Sequence, residues 1–206
     1  MTLHAILSKA PVIPVLVIDA VDIAVPLARA LVAGGLPVLE ITLRTPAAIE
    51  AMRRIGGEVE GAIIGAGTVL RPADAEAATR AGAQFLVSPG YSATLAASTP
   101  TPLLPGVATA TEAMTVLDAG FAFAKLFPAE PIGGVSLLKA LNGPLPQLRF
   151  CPTGGISSTT AKDYLALPNV VCVGGSWLAP KAAVDARDWG QIEALAAAAS
   201  RLRGAA

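Results

Sequence analysis

Lys125 is the one charged residue in the apolar run Phe121-Ala-Phe-Ala-Lys-Leu-Phe127, which Pro128 ends ahead of a Gly133-Gly134 pair. As a strand, this run puts Phe121, Phe123, Lys125 and Phe127 on one face, so the amine is directed into an apolar interior. Desolvation disfavours an ammonium, and an uncharged amine adds to a carbonyl carbon to form a Schiff base. A lysine closing an edge strand with its head in water has the same local sequence. This segment alone leaves both readings open.

A second chemical group lies upstream. In Val38-Leu-Glu-Ile-Thr-Leu-Arg44, strand periodicity places Val38, Glu40, Thr42 and Arg44 on one face and Leu39, Ile41 and Leu43 on the other. An inward carboxylate needs a partner, and an ion pair from Glu40 to Arg44 or Lys125 is the structural reading. The functional reading uses the same contact: a carboxylate beside an amine can shuttle protons, and an inward arginine can hold a substrate carboxylate. Gly65-Ala-Gly-Thr68 offers close backbone approach and one hydroxyl. Ser88-Pro89-Gly90 and Pro105-Gly106 read equally well as turns. Two later runs, Cys151-Pro-Thr-Gly-Gly155 and Val173-Gly-Gly-Ser176, each close a strand with paired glycines. Backbone amides at such turns bind anions, and in parallel barrels the loops after the seventh and eighth strands hold phosphate.

Composition limits the alternatives. The 206 residues carry 15 basic and 15 acidic side chains, so formal net charge is zero, and the scattered cations give no nucleic-acid footprint. Apolar residues make up 53% of the chain, yet Gly, Pro or charge breaks every apolar stretch before the roughly 20 residues a membrane helix needs. The surplus of apolar residues points to an oligomer face. With a single histidine, His4, read as a surface residue, His-based metal clusters and Ser-His-Asp triads lack their parts. Cys151 and Cys172 lie in apolar runs and read as reduced core residues. The N-terminus lacks an export-signal pattern, so a cytoplasmic location is expected.

Elements that could position these groups alternate along the chain. Strand candidates are Val12 to Ile18, Val38 to Leu43, Ala62 to Gly65, Gln84 to Ser88, Pro102 to Leu104, Phe121 to Phe127, Leu148 to Pro152 and Val170 to Val173. Helical patterns cover Val25 to Ala33, Pro46 to Arg54, Pro72 to Ala81, Thr111 to Ala119, Val135 to Leu141, Thr159 to Leu165 and Gly190 to Leu202, with one more near the N-terminus. Eight such alternations predict an α/β fold: a (β/α)8 TIM barrel with an N-terminal helix, forming one domain over 1–206. An open doubly wound sheet would need a glycine-rich fingerprint after the first strand, and Asp19-Ala-Val-Asp-Ile has none.

Seven segments together resemble the 2-keto-3-deoxy-6-phosphogluconate (KDPG) aldolase family: Glu40-Ile-Thr-Leu-Arg-Thr45, Gly65-Ala-Gly-Thr-Val69, Ser88-Pro-Gly90, Leu104-Pro-Gly-Val-Ala108, Lys125-Leu-Phe-Pro-Ala-Glu130, Arg149-Phe-Cys-Pro-Thr-Gly-Gly-Ile156 and Gly174-Gly-Ser-Trp177. The resemblance spans nearly the whole chain in the family's order. It implies a class I aldolase that uses neither metal nor cofactor, on a (β/α)8 barrel, assembled as a homotrimer. Such enzymes cleave a phosphorylated keto acid to pyruvate and glyceraldehyde 3-phosphate in the Entner-Doudoroff pathway, and many also act on 4-hydroxy-2-oxoglutarate (KHG). By the same resemblance, Lys125 is the Schiff-base lysine and Glu40 the general acid/base. Arg44 and Thr68 hold the pyruvate carboxylate, Pro89 and Phe127 shape the pyruvyl pocket, and Thr153 contacts substrate near the breaking bond. Gly154, Gly155, Gly175 and Ser176 form the phosphate loop. Three alternatives stay open from sequence: a sister aldolase for the galactonate epimer, a barrel isomerase with acid/base chemistry only, and a barrel used or engineered as an oligomeric scaffold.

Overall fold

The computed structural model describes residues 1–202. Its strands are β1 (Val12–Leu16), β2 (Val38–Thr42), β3 (Ile63–Gly67), β4 (Phe85–Val87), β5 (Leu103–Leu104), β6 (Gly106–Val107), β7 (Phe123–Leu126), β8 (Arg149–Pro152) and β9 (Val173–Gly175). The helices are α1 (Leu3–Leu7), α2 (Val21–Ala33), α3 (Ala48–Glu58), α4 (Pro72–Arg80), α5 (Ala93–Ala97), α6 (Ala110–Asp118), α7 (Gly134–Asn142), α8 (Ala161–Leu165), α9 (Lys181–Asp185) and α10 (Trp189–Ser200). Among the described residues no helix is long and apolar enough to cross a membrane.

The fold is α/β, with a curled sheet of six strands in the order β5-β4-β3-β2-β1-β9 and a second sheet in the order β6-β7-β8. Every pairing is parallel. The expected fifth strand is β5, and a further strand, β6, follows where Pro105-Gly106 reads as a turn. Leu103 and Leu104 pair with β4, while Gly106 and Val107 pair with β7. Pro105 lies between them with no N–H to continue a ladder, but its carbonyl accepts from the Lys125 N–H at 2.8 Å. Isolated bridges from Phe150 to Val170 and from Thr153 to Gly174 run between the second sheet and the β9 segment.

β9 also departs from expectation. The sequence ends it at Val173, where glycines begin, yet Gly174 and Gly175 pair with Ile13 and Pro14 of β1. Pairing to a neighbouring strand overrides the local preference of glycine for turns. α5 and α9, at five residues each, are too short to show helical periodicity, and the sequence reading omits both.

Two apolar clusters divide the interior. One gathers Ile13, Val38, Ile63, Phe85, Val87, Leu104 and Cys151 from inward strand positions, adds Cys172 just before β9, and is closed by Ile6 and Leu7 of α1. The other packs Leu39, Ile41, Ile64 and Leu86 from the opposite strand faces against α2, α3 and α4. The period-2 reading of β2 holds, because Val38 belongs to the first cluster and Leu39 and Ile41 to the second. Both cysteines are buried. His4 is exposed on α1 and stacks on Phe123 with ring centroids 5.4 Å apart.

Candidate active site

Lys125 lies on β7, the middle strand of its sheet, so the edge-strand reading fails. It is 5% exposed, and its Nζ donates to Glu40 Oε1 at 3.2 Å; Glu40 is 3% exposed. The contact joins residues 85 apart in sequence. The Phe127 ring centroid is 5.2 Å from Nζ, within cation–π range. Phe121 lies before the strand and packs into the other cluster, so it does not share this face as expected. Desolvating a lysine and a glutamate is costly for folding, and each makes the other's burial tolerable. An ion pair so enclosed is also one proton transfer away from a neutral amine and a carboxylic acid.

The glycines of β3 serve protein side chains rather than ligand approach. A Cβ on Gly67 would overlap the Glu40 carboxylate, and one on Gly65 would overlap the Phe85 ring. Cross-strand register accounts for both, since Gly65 pairs directly with Phe85, and Gly67 stands diagonal to Glu40, two residues beyond its partner Gly65. Thr42 and Thr45 donate to the carbonyls of Leu16 and Ile18, at 2.9 and 2.5 Å, tying the end of β2 to β1.

Arg44 does not pair with Glu40. It is exposed, and its Nε donates to Thr68 Oγ1 at 3.2 Å. Thr68 has φ of 60°, a left-handed conformation that a β-branched residue adopts at a cost of about 1–3 kcal/mol. Flanking hydrogen bonds impose it: Leu43 N–H donates to Gly67 O at 2.8 Å, and Val69 N–H to Val87 O at 3.1 Å. Thr68→Gly is therefore expected to keep or raise thermal stability while raising KM for a keto acid, because strain and hydroxyl leave together. A variant that loses stability with unchanged KM would contradict a binding role for that hydroxyl.

Pro89 is exposed, and its carbonyl packs where a Cβ of Gly106 would otherwise sit. The neighbouring Ser88 is buried, with Oγ donating to Gly90 O at 2.7 Å. Across the site, Thr153 is buried beyond β8. Its N–H donates to Leu126 O at 2.9 Å and its carbonyl accepts from Ala129 N–H at 2.8 Å. Gly154 and Gly155 then take φ of 104° and 82°, which only glycine adopts freely. Gly174 and Gly175 have a different reason to be glycine: a Cβ would overlap Thr153 at the first and the Trp177 ring at the second. Ser176 is exposed and lines a cavity of about 510 Å³ with Val15, Val17, Asp19, Lys181 and Arg187. Lys125 and Glu40 do not line it.

The strands and the turns beyond them thus carry a buried amine–carboxylate pair, an exposed guanidinium bonded to a threonine of left-handed backbone, and a glycine turn beyond β8. The family model for KDPG and KHG aldolase matches residues 3–195. The chain belongs to that family. It is 52% identical over 196 residues to the KHG/KDPG aldolase of Escherichia coli (strain K12), covering 94% of this chain and 92% of the relative. A crystal structure of KDPG aldolase from Legionella pneumophila, with pyruvate captured at low pH as a covalent carbinolamine intermediate, superposes with a TM-score of 0.93. It is 46% identical and covers 96% of this chain and 97% of its own. The enzyme from Zymomonas mobilis ZM4, solved with 3-phosphoglycerate, gives a TM-score of 0.91 at 50% identity, covering 96% of this chain and 94% of its own. As a family member the chain is an aldolase, a carbon–carbon lyase. What its sequence did not disclose is the support around the pair. Gly67 and the carbonyl of Pro105 carry no chemical signature, and only the register places them against Glu40 and Lys125.

Proposed function

We propose that this aldolase cleaves KDPG to pyruvate and glyceraldehyde 3-phosphate through a Schiff base on Lys125, with KHG as a second substrate giving pyruvate and glyoxylate. The observation that carries the reading is the buried contact between Lys125 Nζ and Glu40. A proton moves from Nζ to the Glu40 carboxylate, and the amine lone pair adds to the C2 carbonyl carbon to form a carbinolamine. Glu40 returns its proton to the departing hydroxyl, which leaves as water, and C2 becomes a protonated imine. The carboxylate then takes the C4 hydroxyl proton as the C3–C4 bond breaks. The bond's electron pair enters the imine as an enamine, and the aldehyde departs. Glu40 finally protonates C3, and water hydrolyses the imine to release pyruvate and regenerate Lys125. The covalent carbinolamine of the Legionella relative is consistent with the first step.

Arg44 and Thr68 hold the C1 carboxylate in register with C2, and Phe127 and Pro89 bound the pyruvyl pocket. Thr153 faces the C3–C4 bond. Gly154, Gly155, Gly175 and Ser176 receive the phosphate, for which the left-handed turn at Gly154 and Gly155 is the structural support. The same reading takes the two parallel sheets and their linking bridges as one (β/α)8 barrel making up a single domain. It takes the assembly as a homotrimer working in the cytoplasm, on the Entner-Doudoroff route. Exposed Val17, Leu70 and Met114 are candidate trimer contacts.

The substrate assignment is tested by following pyruvate release from KDPG, its galactonate epimer and KHG. KDPG is expected to give the highest kcat/KM. A higher value for the galactonate epimer would move the assignment to the sister activity.

A further inference from the structure

Beyond the reacting pair, one buried hydroxyl is bonded to a carboxylate that the mechanism does not use. Tyr164 of α8 is fully buried, and its OH donates to Glu130 Oε1 at 2.5 Å across 34 residues of chain. Glu130 belongs to a short 3-10 helix, Glu130–Ile132, just after β7 and Pro128. Its own N–H donates to the carbonyl of Gly154 at 3.0 Å, directly after the Ala129 bond to Thr153. Its side-chain stem occupies the place a Cβ of Gly155 would need, while Pro128 and Ala129 lie against the corresponding position of Gly154. The two left-handed glycines therefore rest on the segment 128–130. Gly134 completes the clasp: its N–H donates to Ala129 O at 2.9 Å, and a Cβ there would overlap the Tyr164 hydroxyl.

We propose that Glu130 and Tyr164 are positioning residues for the phosphate end of the substrate, holding the turn at Gly154 and Gly155 in the left-handed shape that presents its backbone amides to an anion. The proposal rests on the phosphate reading given above for that turn. The Tyr164–Glu130 bond joins the helix that follows the turn to the segment beneath it, so the loop is held on both sides. The bond also fixes a negative charge beside an anion site. With its oxygen held by the phenol, the Glu130 carboxylate is kept from turning to the glycine amides that its stem underlies. Burial, and then the Glu130 carboxylate, push the Tyr164 hydroxyl well above the usual phenol range, so it stays a donor at any working pH.

The test is steady-state kinetics of Tyr164→Phe, Glu130→Ala and Glu130→Gln with KDPG and with KHG, which has no phosphate. Tyr164→Phe and Glu130→Ala are expected to raise KM for KDPG about tenfold, the size of one lost hydrogen bond, with kcat nearly unchanged. Both should leave KHG turnover within about twofold. Glu130→Gln keeps an acceptor for the phenol and should stay near wild type on both substrates. Circular dichroism checks that each variant folds; should Tyr164→Phe not fold, Glu130→Ala carries the same comparison. Equal losses on both substrates, or no loss on KDPG, would overturn the positioning role. Failure of the underlying phosphate reading shows separately, in the wild-type protein. Inorganic phosphate is expected to compete with KDPG, and Ser176→Ala to weaken that competition; absence of both effects would remove the phosphate site itself.

Discussion

Lys125→Met is expected to lower turnover of KDPG by at least about four orders of magnitude, because no other group at the site can make the imine. A structural price accompanies this loss. The Nζ that disappears is the partner of a carboxylate only 3% exposed, so Glu40 is left buried with no cation beside it. Removing one member of such a pair typically costs about 3–5 kcal/mol, whereas replacing both with neutral groups of similar size is often neutral. The double variant Lys125→Met, Glu40→Gln is therefore expected to recover most of the single variant's stability, read from chemical denaturation, while staying inactive. Recovery of activity in either variant would contradict a nucleophilic Lys125. If the single variant were as stable as wild type, the pair would be less enclosed than the structure shows.

The second large effect falls on a residue with no chemistry of its own. Gly67 has an ordinary backbone conformation, so Gly67→Ala meets no φ penalty, but the added methyl would overlap the Glu40 carboxylate and its Cγ. Glu40 must then shift within a filled interior. A displacement of about 1 Å at a reacting group can cost roughly a hundredfold in rate, against an overpacking penalty of about 1–3 kcal/mol in stability. We expect kcat to fall by about two orders of magnitude while the protein still unfolds cooperatively. Shortening the carboxylate in Gly67→Ala, Glu40→Asp should restore part of the rate. A Gly67→Ala enzyme within threefold of wild type would mean that Glu40 tolerates displacement, which a proton shuttle poised between Nζ and C4 does not.

These two residues differ in how far the sequence discloses them. Lys125 and Glu40 are visible because each interrupts an apolar strand, and period-2 alternation states which way each points. Packing of one sheet against the other then brings them together, a relation between β2 and β7 that neither strand encodes alone. Gly67 looks like a ligand-approach glycine, and so does Gly175. Only the paired structure shows that a carboxylate fills the space beside the first and an indole ring the space beside the second. The strand β6 beyond Pro105 was hidden for another reason. Two residues pair on each side of that proline, too few to show alternation, so Pro105-Gly106 read as a turn closing the fifth strand. Spacing assigns Arg44 to the Glu40 face, but the residue lies past the end of β2, where its side chain bonds Thr68 rather than the carboxylate. The bond between Tyr164 and Glu130 had no local signal, since its ends lie on α8 and on a three-residue turn after β7.

The proposed reaction runs through a covalent bond between Lys125 and the keto acid. Peptide mass spectrometry after incubation with pyruvate and sodium borohydride tests it directly, because hydride traps only an imine that has formed. A single reduced pyruvyl adduct on the peptide containing Lys125, prevented by Lys125→Met, is the predicted result. Folded protein that gives no adduct, or an adduct on another lysine, would contradict a Schiff base at Lys125.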